Sequence, residues 1–222
     1  MRKWIGTICI LLGAALVISA LLLLGYNRME DEKAGEAADT AIAQVQQIIE
    51  ENRQHNHQTQ MEAAAGDSNQ QEGDLELEAT DLEAADTDSL QSADDYEYIG
   101  ILTIPALELE LPVMSEWDYK RLKIAPCRQY GSAADDDLII AAHNYDRHFG
   151  RLSKLKDGDT ITFTDLEGEV YEYAVREIKI LEPTATEEVI NSEWELILYT
   201  CTYGGKTRVV VGCERLKSPD DQ

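Results

Sequence analysis

The sequence predicts a mainly β domain, folded as a closed or nearly closed barrel and carried behind one membrane-spanning helix. Three observations lead to this prediction. Beyond residue 96 the chain contains short runs rich in Val, Ile, Thr and Tyr, separated by Gly, Pro and Asp, which is typical of strands and turns. An uncharged apolar segment lies near the amino terminus, and a polar, acidic segment follows it. Seven or eight short strands with few helices favour a barrel rich in antiparallel pairs.

The membrane-spanning helix is predicted over residues 5–26. Ile5–Gly25 contains 21 residues without one charge, and a helix of that length spans about 31 Å, enough for a hydrocarbon core of about 30 Å. Trp4 and Tyr26 stand at its two ends, where interfacial aromatic residues belong. A cleaved signal peptide is the competing interpretation. The apolar run is too long for a typical signal peptide, and no clean A-x-A site follows it, so an uncleaved anchor is favoured.

The charges beside this segment give a slight orientation bias. Arg2 and Lys3 precede it, whereas Arg28 and Lys33 follow it. We expect a single-pass protein of the cell membrane, with residues 1–4 in the cytoplasm and the rest of the chain outside.

Residues 27–96 are predicted to form an acidic spacer that is partly helical or disordered. Within Ala37–Arg53, four apolar residues recur at helical spacing: Ala41, Val45, Ile48 and Ile49. This helix extends away from the membrane, pairs with a partner, or is partly formed and solvated; the last interpretation is favoured. Residues 62–97 carry 13 acidic side chains and no Lys or Arg, so this part buries too little apolar surface to fold and is expected to be a disordered, self-repelling linker.

The folded domain is predicted over residues 97–217, with 218–222 as a carboxyl-terminal tail. A helical turn is expected near His148–Lys156. Strands are predicted at Ile99–Ile104, Leu107–Val113, Leu138–Ala142, Asp159–Thr164, Val170–Ile180, Leu196–Thr200 and Thr207–Val211.

Charge and cysteine spacing exclude several classes of protein. The formal net charge of −24 argues against nucleic-acid binding, which needs a basic face for phosphates. Cysteines stand at positions 9, 127, 201 and 213 without a C-x-x-C pair, which excludes a zinc ribbon and a thioredoxin-type motif. Cys127 and Cys213 form either one disulfide or two buried free thiols, and the sequence leaves both open.

The last two strands give the sharpest local prediction. Gly204-Gly205 lies between them and suits a two-residue hairpin turn. With that turn, Cys201 faces Arg208 across the hairpin, where opposed Cβ atoms lie about 4.5–5.5 Å apart. A cation beside a thiol favours the thiolate, which is the nucleophilic form. His143 ends another apolar run, and its ring is able to act as an acid or a base near neutral pH.

Each of these residues also has a structural interpretation. A cysteine at a strand end is often a small core residue, an arginine in a hairpin is often a surface charge, and a histidine beside an apolar run is often structural. A metal site built from His143, His148 and Cys201 is disfavoured by its undiagnostic spacing. His55 and His57, and the acidic loop Asp135–Asp137, are interpreted as solvated rather than as metal ligands. We expect no metal and no cofactor.

Four stretches of the folded domain resemble the sortases, the membrane-anchored cysteine transpeptidases of mainly Gram-positive bacteria. They are YIGILTIPALELELPV (98–113), LIIAAHN (138–144), LYTCTY (198–203) and TRVVV (207–211). The order of His143, then Thr200-Cys201, then Arg208 matches the catalytic order of that family. The resemblance covers about residues 97–217 and implies an eight-stranded β-barrel. Because the segment between Ile180 and Trp194 is short, with no obvious extra helix, the subclass stays open between class B-like and class D-like.

The resemblance implies acyl transfer in two stages. Cys201 would attack a carbonyl in the sorting signal of an exported protein and form a thioacyl intermediate, which an amine of a peptidoglycan cross-bridge, a lipid-linked precursor or a pilin would resolve. His143 would move protons, and Arg208 would stabilise the oxyanion. Thr200 and Asn144 are expected to take part in substrate binding. Thr200 would shape the substrate groove, and Asn144, which is adjacent to His143, would orient the histidine.

Two other interpretations are weighed against this one. A cysteine L,D-transpeptidase is also an exported β protein, but its His-Gly-Cys-x-Arg motif does not fit LYTCTYGG. A catalytically inactive anchored β domain that binds wall peptide or a protein partner is the remaining alternative. The joint presence of His143, Cys201 and Arg208 argues against it.

Overall fold

The structure is a computed structural model that describes the backbone of residues 2–65, 92–93 and 96–217 and the side chains of 10–59 and 97–217. The predicted disordered linker falls largely on residues 66–91, and the predicted tail on 218–222; both lie outside the described residues. In chain order the helices and strands are α1 (Arg2–Ala65), β1 (Ser92–Ala93), β2 (Tyr96–Ile104), β3 (Leu109–Met114), β4 (Cys127–Tyr130), β5 (Leu138–Ala141), β6 (Thr160–Asp165), β7 (Val170–Leu181), α2 (Thr186–Ile190), β8 (Leu196–Cys201) and β9 (Arg208–Arg215).

Strands β2–β9 form a closed barrel. Their order is β2-β3-β4-β5-β8-β9-β7-β6, and β6 pairs back onto β2. The β3–β4 and β5–β8 pairs are parallel, and the remaining pairs around the barrel are antiparallel. Single 3₁₀ turns follow β2 and lie within the longer connections. The predicted mainly β, eight-stranded closed barrel with short helical turns is therefore confirmed.

The sequence did not reveal β4 or the short β1. Only the first residue of β4, Cys127, is buried, and its other three residues are polar or aromatic and at least partly exposed. This strand therefore lacks the apolar alternation on which strand prediction depends. The two parallel pairs were also not predicted, because parallel partners are joined by long connections that leave no local signal.

Alternating side chains of each strand fill the barrel. Leu102, Ile140, Leu198 and Val211 point into one continuous core and are fully buried. The intervening residues point to the outer face, where Ile139, Ile197 and Val210 form a separate apolar cluster. Because successive side chains of a strand face opposite sides, the two clusters define an inner and an outer face for β5, β8 and β9.

Helix α1 joins the predicted membrane anchor to the barrel without a break. Its amino-terminal half is long and apolar enough to cross a membrane, and the apolar side chains of residues 10–24 are exposed. Further along, Ala41, Val45 and Ile49 are buried against β2, β3 and neighbouring residues of the barrel. The predicted helical spacing is therefore correct, but this stretch is a docked helix rather than a solvated one.

Truncation of a docked side chain should destabilise the protein. Val45 is fully buried between α1 and the barrel, so Val45→Ala is expected to lower the free energy of unfolding by about 1.5–3 kcal/mol through lost apolar burial and the cavity that remains. Urea unfolding of the full chain in detergent measures this. Gln44→Ala, at the exposed neighbouring position, is the control and should change it by less than about 0.5 kcal/mol. Equal effects of both substitutions would show that α1 is not docked in solution.

Candidate active site

The parallel pairing of β5 with β8 sets the position of His143. The register runs from Leu138 opposite Leu196 to Ala141 opposite Tyr199. It continues beyond the last ladder pair, because the backbone N–H of Ala142 donates to the Tyr199 carbonyl at 3.2 Å. In the same register, Ala142 lies at the level of Thr200, and His143 lies at the level of Cys201.

The antiparallel pairing of β8 with β9 sets the position of Arg208. Cys201 and Arg208 are direct partners and form the last pair of this ladder, as predicted. The turn itself is wider than the predicted two-residue turn: Thr202 N–H donates to the Thr207 carbonyl at 2.9 Å, and Gly205 N–H donates to the Thr202 carbonyl at 2.8 Å. The φ values of Gly204 and Gly205, 86° and 72°, suit glycine.

The strand alternation puts the three side chains on the outer face of the barrel. Leu198 and Val209 face the inner core. Cys201 is three positions after Leu198 and Arg208 is one position before Val209, and residues an odd number of positions apart along a strand face opposite sides. Cys201 and Arg208 therefore face outward, and both are half-buried. His143, three residues after the inward-facing Ile140, falls on the same outer face. The structure thus brings His143, Cys201 and Arg208 together at the ends of adjacent strands.

His143 is half-buried, and burial, with a smaller contribution from the charge of Lys123, lowers its pKa below the ordinary value of 6.5. Its imidazole is therefore mainly neutral at pH 7. Its Nε2 atom is buried, and among the described residues no protein group hydrogen-bonds it. The ring lies 5.0 Å from that of Tyr145, centroid to centroid. A neutral imidazole has one ring nitrogen that is able to accept a proton.

The Arg208 guanidinium is held by the hairpin turn. Its Nη1 atom donates to the carbonyl oxygens of Gly205 at 3.2 Å and Thr207 at 3.1 Å. Within the described parts of the chain, no carboxylate forms an ion pair with it. Its charge is therefore not neutralised by a neighbour and remains able to stabilise an anion beside Cys201.

The Thr200 side chain is buried, with 3% of its surface exposed, and its hydroxyl donates to the Ala142 carbonyl at 2.8 Å. This hydrogen bond links β8 to the end of β5. Asn144 is half-buried, and its carbonyl lies against Gly150, within the tight loop that follows His143.

A groove of about 340 Å³ on the outer face of the barrel begins at Arg208. Its floor is formed by Ile139, Tyr199 and Val210, and α2 and the preceding residues form one wall. The Tyr199 hydroxyl is fixed by donation to Gln129 Oε1 at 2.8 Å.

The sequence did not reveal α2, because five residues are too few for a periodic apolar pattern. Glu187 and Glu188 in its first turn were the only signal for this helix.

The side chains weighed as metal ligands have other surroundings. His148 is fully buried, and burial lowers its pKa to about 4. Asp136 pairs with Arg215 at 2.6 Å, and Asp135 and Asp137 accept hydrogen bonds from Ser132. In the described ranges, no group of three His, Cys, Asp or Glu side chains is arranged to hold a metal ion.

The two other cysteines of the barrel are free and buried. Burial raises the pKa of both Cys127 and Cys213 to about 12. Both therefore remain protonated thiols at neutral pH, whereas Cys201 is partly accessible to solvent.

Comparisons with known proteins agree with this geometry. Residues 102–216, more than half of the 222-residue chain, match the family model described as the Sortase domain. The chain belongs to the sortase family. This sortase is 32% identical over 111 residues to Sortase A of Bacillus anthracis, covering 48% of this chain and 49% of that protein. It is 26% identical over 162 residues to Sortase A of Listeria monocytogenes, covering 65% of this chain and 70% of that protein.

Solved sortase structures have the same barrel. Sortase C of Streptococcus pneumoniae superposes with a TM-score of 0.50 at 26% identity, covering 57% of this chain and 69% of that one. Sortase A of Corynebacterium diphtheriae superposes with a TM-score of 0.50 at 22% identity, covering 58% of this chain and 65% of that one. The chain spans about half the length of the Bacillus anthracis relative, and the shared region is the barrel.

The difference in burial predicts selective alkylation of one barrel cysteine. With a pKa of about 12, Cys127 and Cys213 are thiolates in only about one molecule in 10⁴ at pH 8, and both are enclosed. Iodoacetamide should modify Cys201 in the folded protein and the other two only in urea, as measured by peptide mapping. Cys201→Ala is the control, and in the folded variant no cysteine of the barrel should be alkylated. Modification of Cys213 without denaturant would contradict this arrangement.

The charge of Lys123 should be measurable in the titration of His143. Removing this cation favours the protonated imidazole, so Lys123→Ala is expected to raise the pKa of His143. The C2 proton resonance in NMR follows the titration, and His143→Gln assigns it. Lys120→Ala in the same loop is the matched control and should leave the pKa where it is. A pKa of His143 above 6.5 in the unsubstituted protein would show that burial is not the dominant influence.

Proposed function

We propose that this sortase is a cysteine transpeptidase that cleaves the sorting signal of exported proteins and transfers them to an amine of the cell wall or of a pilin. The observation that carries the proposal is the meeting of His143, Cys201 and Arg208 on one outer face, next to an open groove. Acyl transfer through a thioester uses a nucleophile, a proton carrier and a donor that stabilises the oxyanion, and these three side chains are able to supply them.

In the first stage, Cys201 Sγ attacks the scissile carbonyl while its proton passes to the neutral His143 imidazole. A bond forms between sulfur and carbon, and the oxyanion is stabilised by the Arg208 guanidinium. The bond between carbon and nitrogen then breaks, and the leaving amine takes the proton from His143. The product is a thioacyl enzyme and a free amine.

In the second stage, the acceptor amine attacks the thioester carbonyl. The new bond between nitrogen and carbon forms, the bond between carbon and sulfur breaks, and His143 accepts the proton of the incoming amine. Cys201 is regenerated once that proton returns to the thiolate or to solvent. No cofactor enters either stage. The acceptor is an amine of a peptidoglycan cross-bridge, of its lipid-linked precursor, or of a pilin.

The groove supports an extended peptide as the donor substrate. Its floor and the α2 wall present apolar side chains, including Leu181, Val189 and Ile190, beside Arg208. Leu181 is the β7 partner of Arg208. The apolar wall therefore begins directly beside the guanidinium that is proposed to stabilise the oxyanion. We infer that an apolar side chain of the sorting signal lies in this groove, a few residues before the scissile bond.

The domain organisation completes the proposal. Residues 5–26 anchor the chain in the cell membrane in a single pass, with residues 1–4 inside and the catalytic domain, 97–217, outside. The apolar, exposed amino-terminal half of α1 supports the anchor. Residues 27–96 connect the two, and 218–222 form the tail. The partners are then exported proteins, the wall or pilin amine and the lipid bilayer, and no nucleic acid.

Turnover of signal peptides tests this function. The full chain in detergent is mixed with a panel of sorting-signal peptides and an amine, and mass spectrometry follows cleaved peptide, amine-joined product and a thioacyl adduct on Cys201. Arg208→Ala is expected to lower kcat/KM about 100-fold to 1,000-fold, because one oxyanion donor is lost. Cys201→Ala should remove the adduct and the product.

Lys206→Ala is the matched control, since Lys206 is an exposed cation of the same hairpin. It should retain the activity of the unsubstituted protein. No turnover of any peptide, together with a Cys201 that resists alkylation in the folded protein, would overturn the proposal in favour of an anchored binding domain.

A further inference from the structure

Polar contacts between helix α1 and the barrel lie on both sides of the buried stretch around Val45. Nearer the predicted anchor, Asp31 Oδ1 accepts a hydrogen bond from the Arg147 backbone N–H at 3.0 Å, and Asp39 pairs with the Arg147 guanidinium at 2.7 Å. Further from the anchor, Asn52 Nδ2 donates to the Leu166 carbonyl at 2.9 Å, and Arg53 donates to the Gly168 carbonyl at 3.3 Å. Two separated attachments to one continuous helix define a direction for the barrel.

The contact nearer the anchor involves the loop of the candidate active site. Arg147 lies four residues after His143, and its guanidinium packs so closely on Gly35 that a Cβ there would overlap it. Tyr145, in the same loop, has its ring 5.0 Å from that of His143 and 5.6 Å from that of the fully buried His148.

Electrostatic influence on Tyr145 agrees with this placement. Its pKa is raised, mainly by burial and then by the negative charge of Glu30, with smaller contributions from Tyr26 and Asp31. Tyr26 is the aromatic residue at the end of the apolar segment. The first turns of α1 beyond the anchor therefore face the His143 loop.

The contact further from the anchor involves the opposite end of the barrel. Leu166 and Gly168 lie in the turn between β6 and β7. About 21 residues of helix separate Asp31 from Asn52, which corresponds to roughly 30 Å at 1.5 Å per residue. Asp31 follows Tyr26 by five residues, or about 8 Å. The active-site end of the barrel is thus close to the apolar segment, and the β6–β7 turn is far from it.

The segment between anchor and barrel is continuous helix. Residues 26–34 belong to α1 without interruption, and Ala34 and Ala38 are already buried on the barrel side. Helical residues transmit orientation, whereas a flexible linker of the same length would not.

We propose that α1 holds the barrel in one orientation relative to the membrane. The active-site end of the barrel faces the bilayer at about the level of the lipid headgroups, and the β6–β7 turn points away from it. The partner of this end is the membrane surface itself. The inference takes the reaction from the proposed function, but the orientation depends only on α1. A consequence is that the enzyme reaches only those scissile bonds that are presented near the membrane.

Energy transfer to labelled lipids tests the orientation without any need for activity. The full chain is placed in phosphatidylcholine vesicles with an acceptor dye on the headgroups, in a Cys9→Ser, Cys201→Ala background. One donor dye is attached at Tyr203→Cys, in the exposed hairpin turn beside the site, and in a second sample at Glu169→Cys, in the exposed β6–β7 turn. The Tyr203 position should show clearly higher transfer than the Glu169 position. Equal or reversed transfer would overturn the proposal.

An insertion tests whether α1 sets the orientation of the barrel. Gly-Ser-Gly-Ser placed between Lys33 and Ala34 leaves most of the docked segment intact but interrupts its rigid link to the membrane, so the two dye positions should become similar. The same insertion after residue 70, beyond the docked segment, is the control and should preserve the difference. A difference that survives the first insertion would show that α1 does not set the orientation.

Tethered substrates test the consequence. Signal peptides are linked to vesicle lipids through short and long polyethylene glycol spacers. The unsubstituted enzyme should turn over the short tether several-fold faster than the long one, and the Lys33–Ala34 insertion should remove this preference while leaving turnover of the soluble peptide unchanged. Equal turnover of the peptides on both tethers by the unsubstituted enzyme would contradict a fixed distance between the active site and the membrane. Failure to cleave even the soluble peptide would instead count against the proposed function, and the dye measurement would still decide the orientation.

Discussion

The register of strand β8 between β5 and β9 is the constraint on which the candidate site depends. Each of His143, Cys201 and Arg208 comes from a different strand end, and they meet because the central strand is held in one register with both neighbours. The buried hydroxyl of Thr200 reinforces this register by donating to the Ala142 carbonyl. A slip of one residue would turn every outward side chain of β8 into the core, so the apolar interior also protects the site.

The same alternation separates reactive from inert groups. The side chains that face inward, such as Cys213, lie in an apolar interior that keeps a thiol protonated. Those that face outward, such as Cys201 and Arg208, keep contact with solvent and with the groove. One physical cause, the period of two along a strand, therefore gives the domain both its stability and the surface on which acyl transfer is proposed.

Helix α1 connects the surface of the barrel to the amino-terminal apolar segment. Its apolar side chains cover the outer surface of β2 and β3, which would otherwise face water, and its polar side chains bind the loop after His143. The helix runs without a break from the exposed apolar segment to the residues buried on the barrel. This continuity is what supports the proposal that α1 sets the orientation of the domain at a membrane.

Much of the protein was predictable from its sequence because the relevant signals are local. The candidate membrane span is a continuous run of apolar residues. Most strands alternate, and the glycines at 204 and 205 place Cys201 opposite Arg208 through hairpin register alone. Other features depended on tertiary structure. The docking of α1, the inward direction of Thr200, the polar strand β4 and the short α2 beside the groove are decided by contacts between residues far apart in the chain. A pattern along the chain specifies which residues seek burial, but only the closed barrel determines which surface buries them.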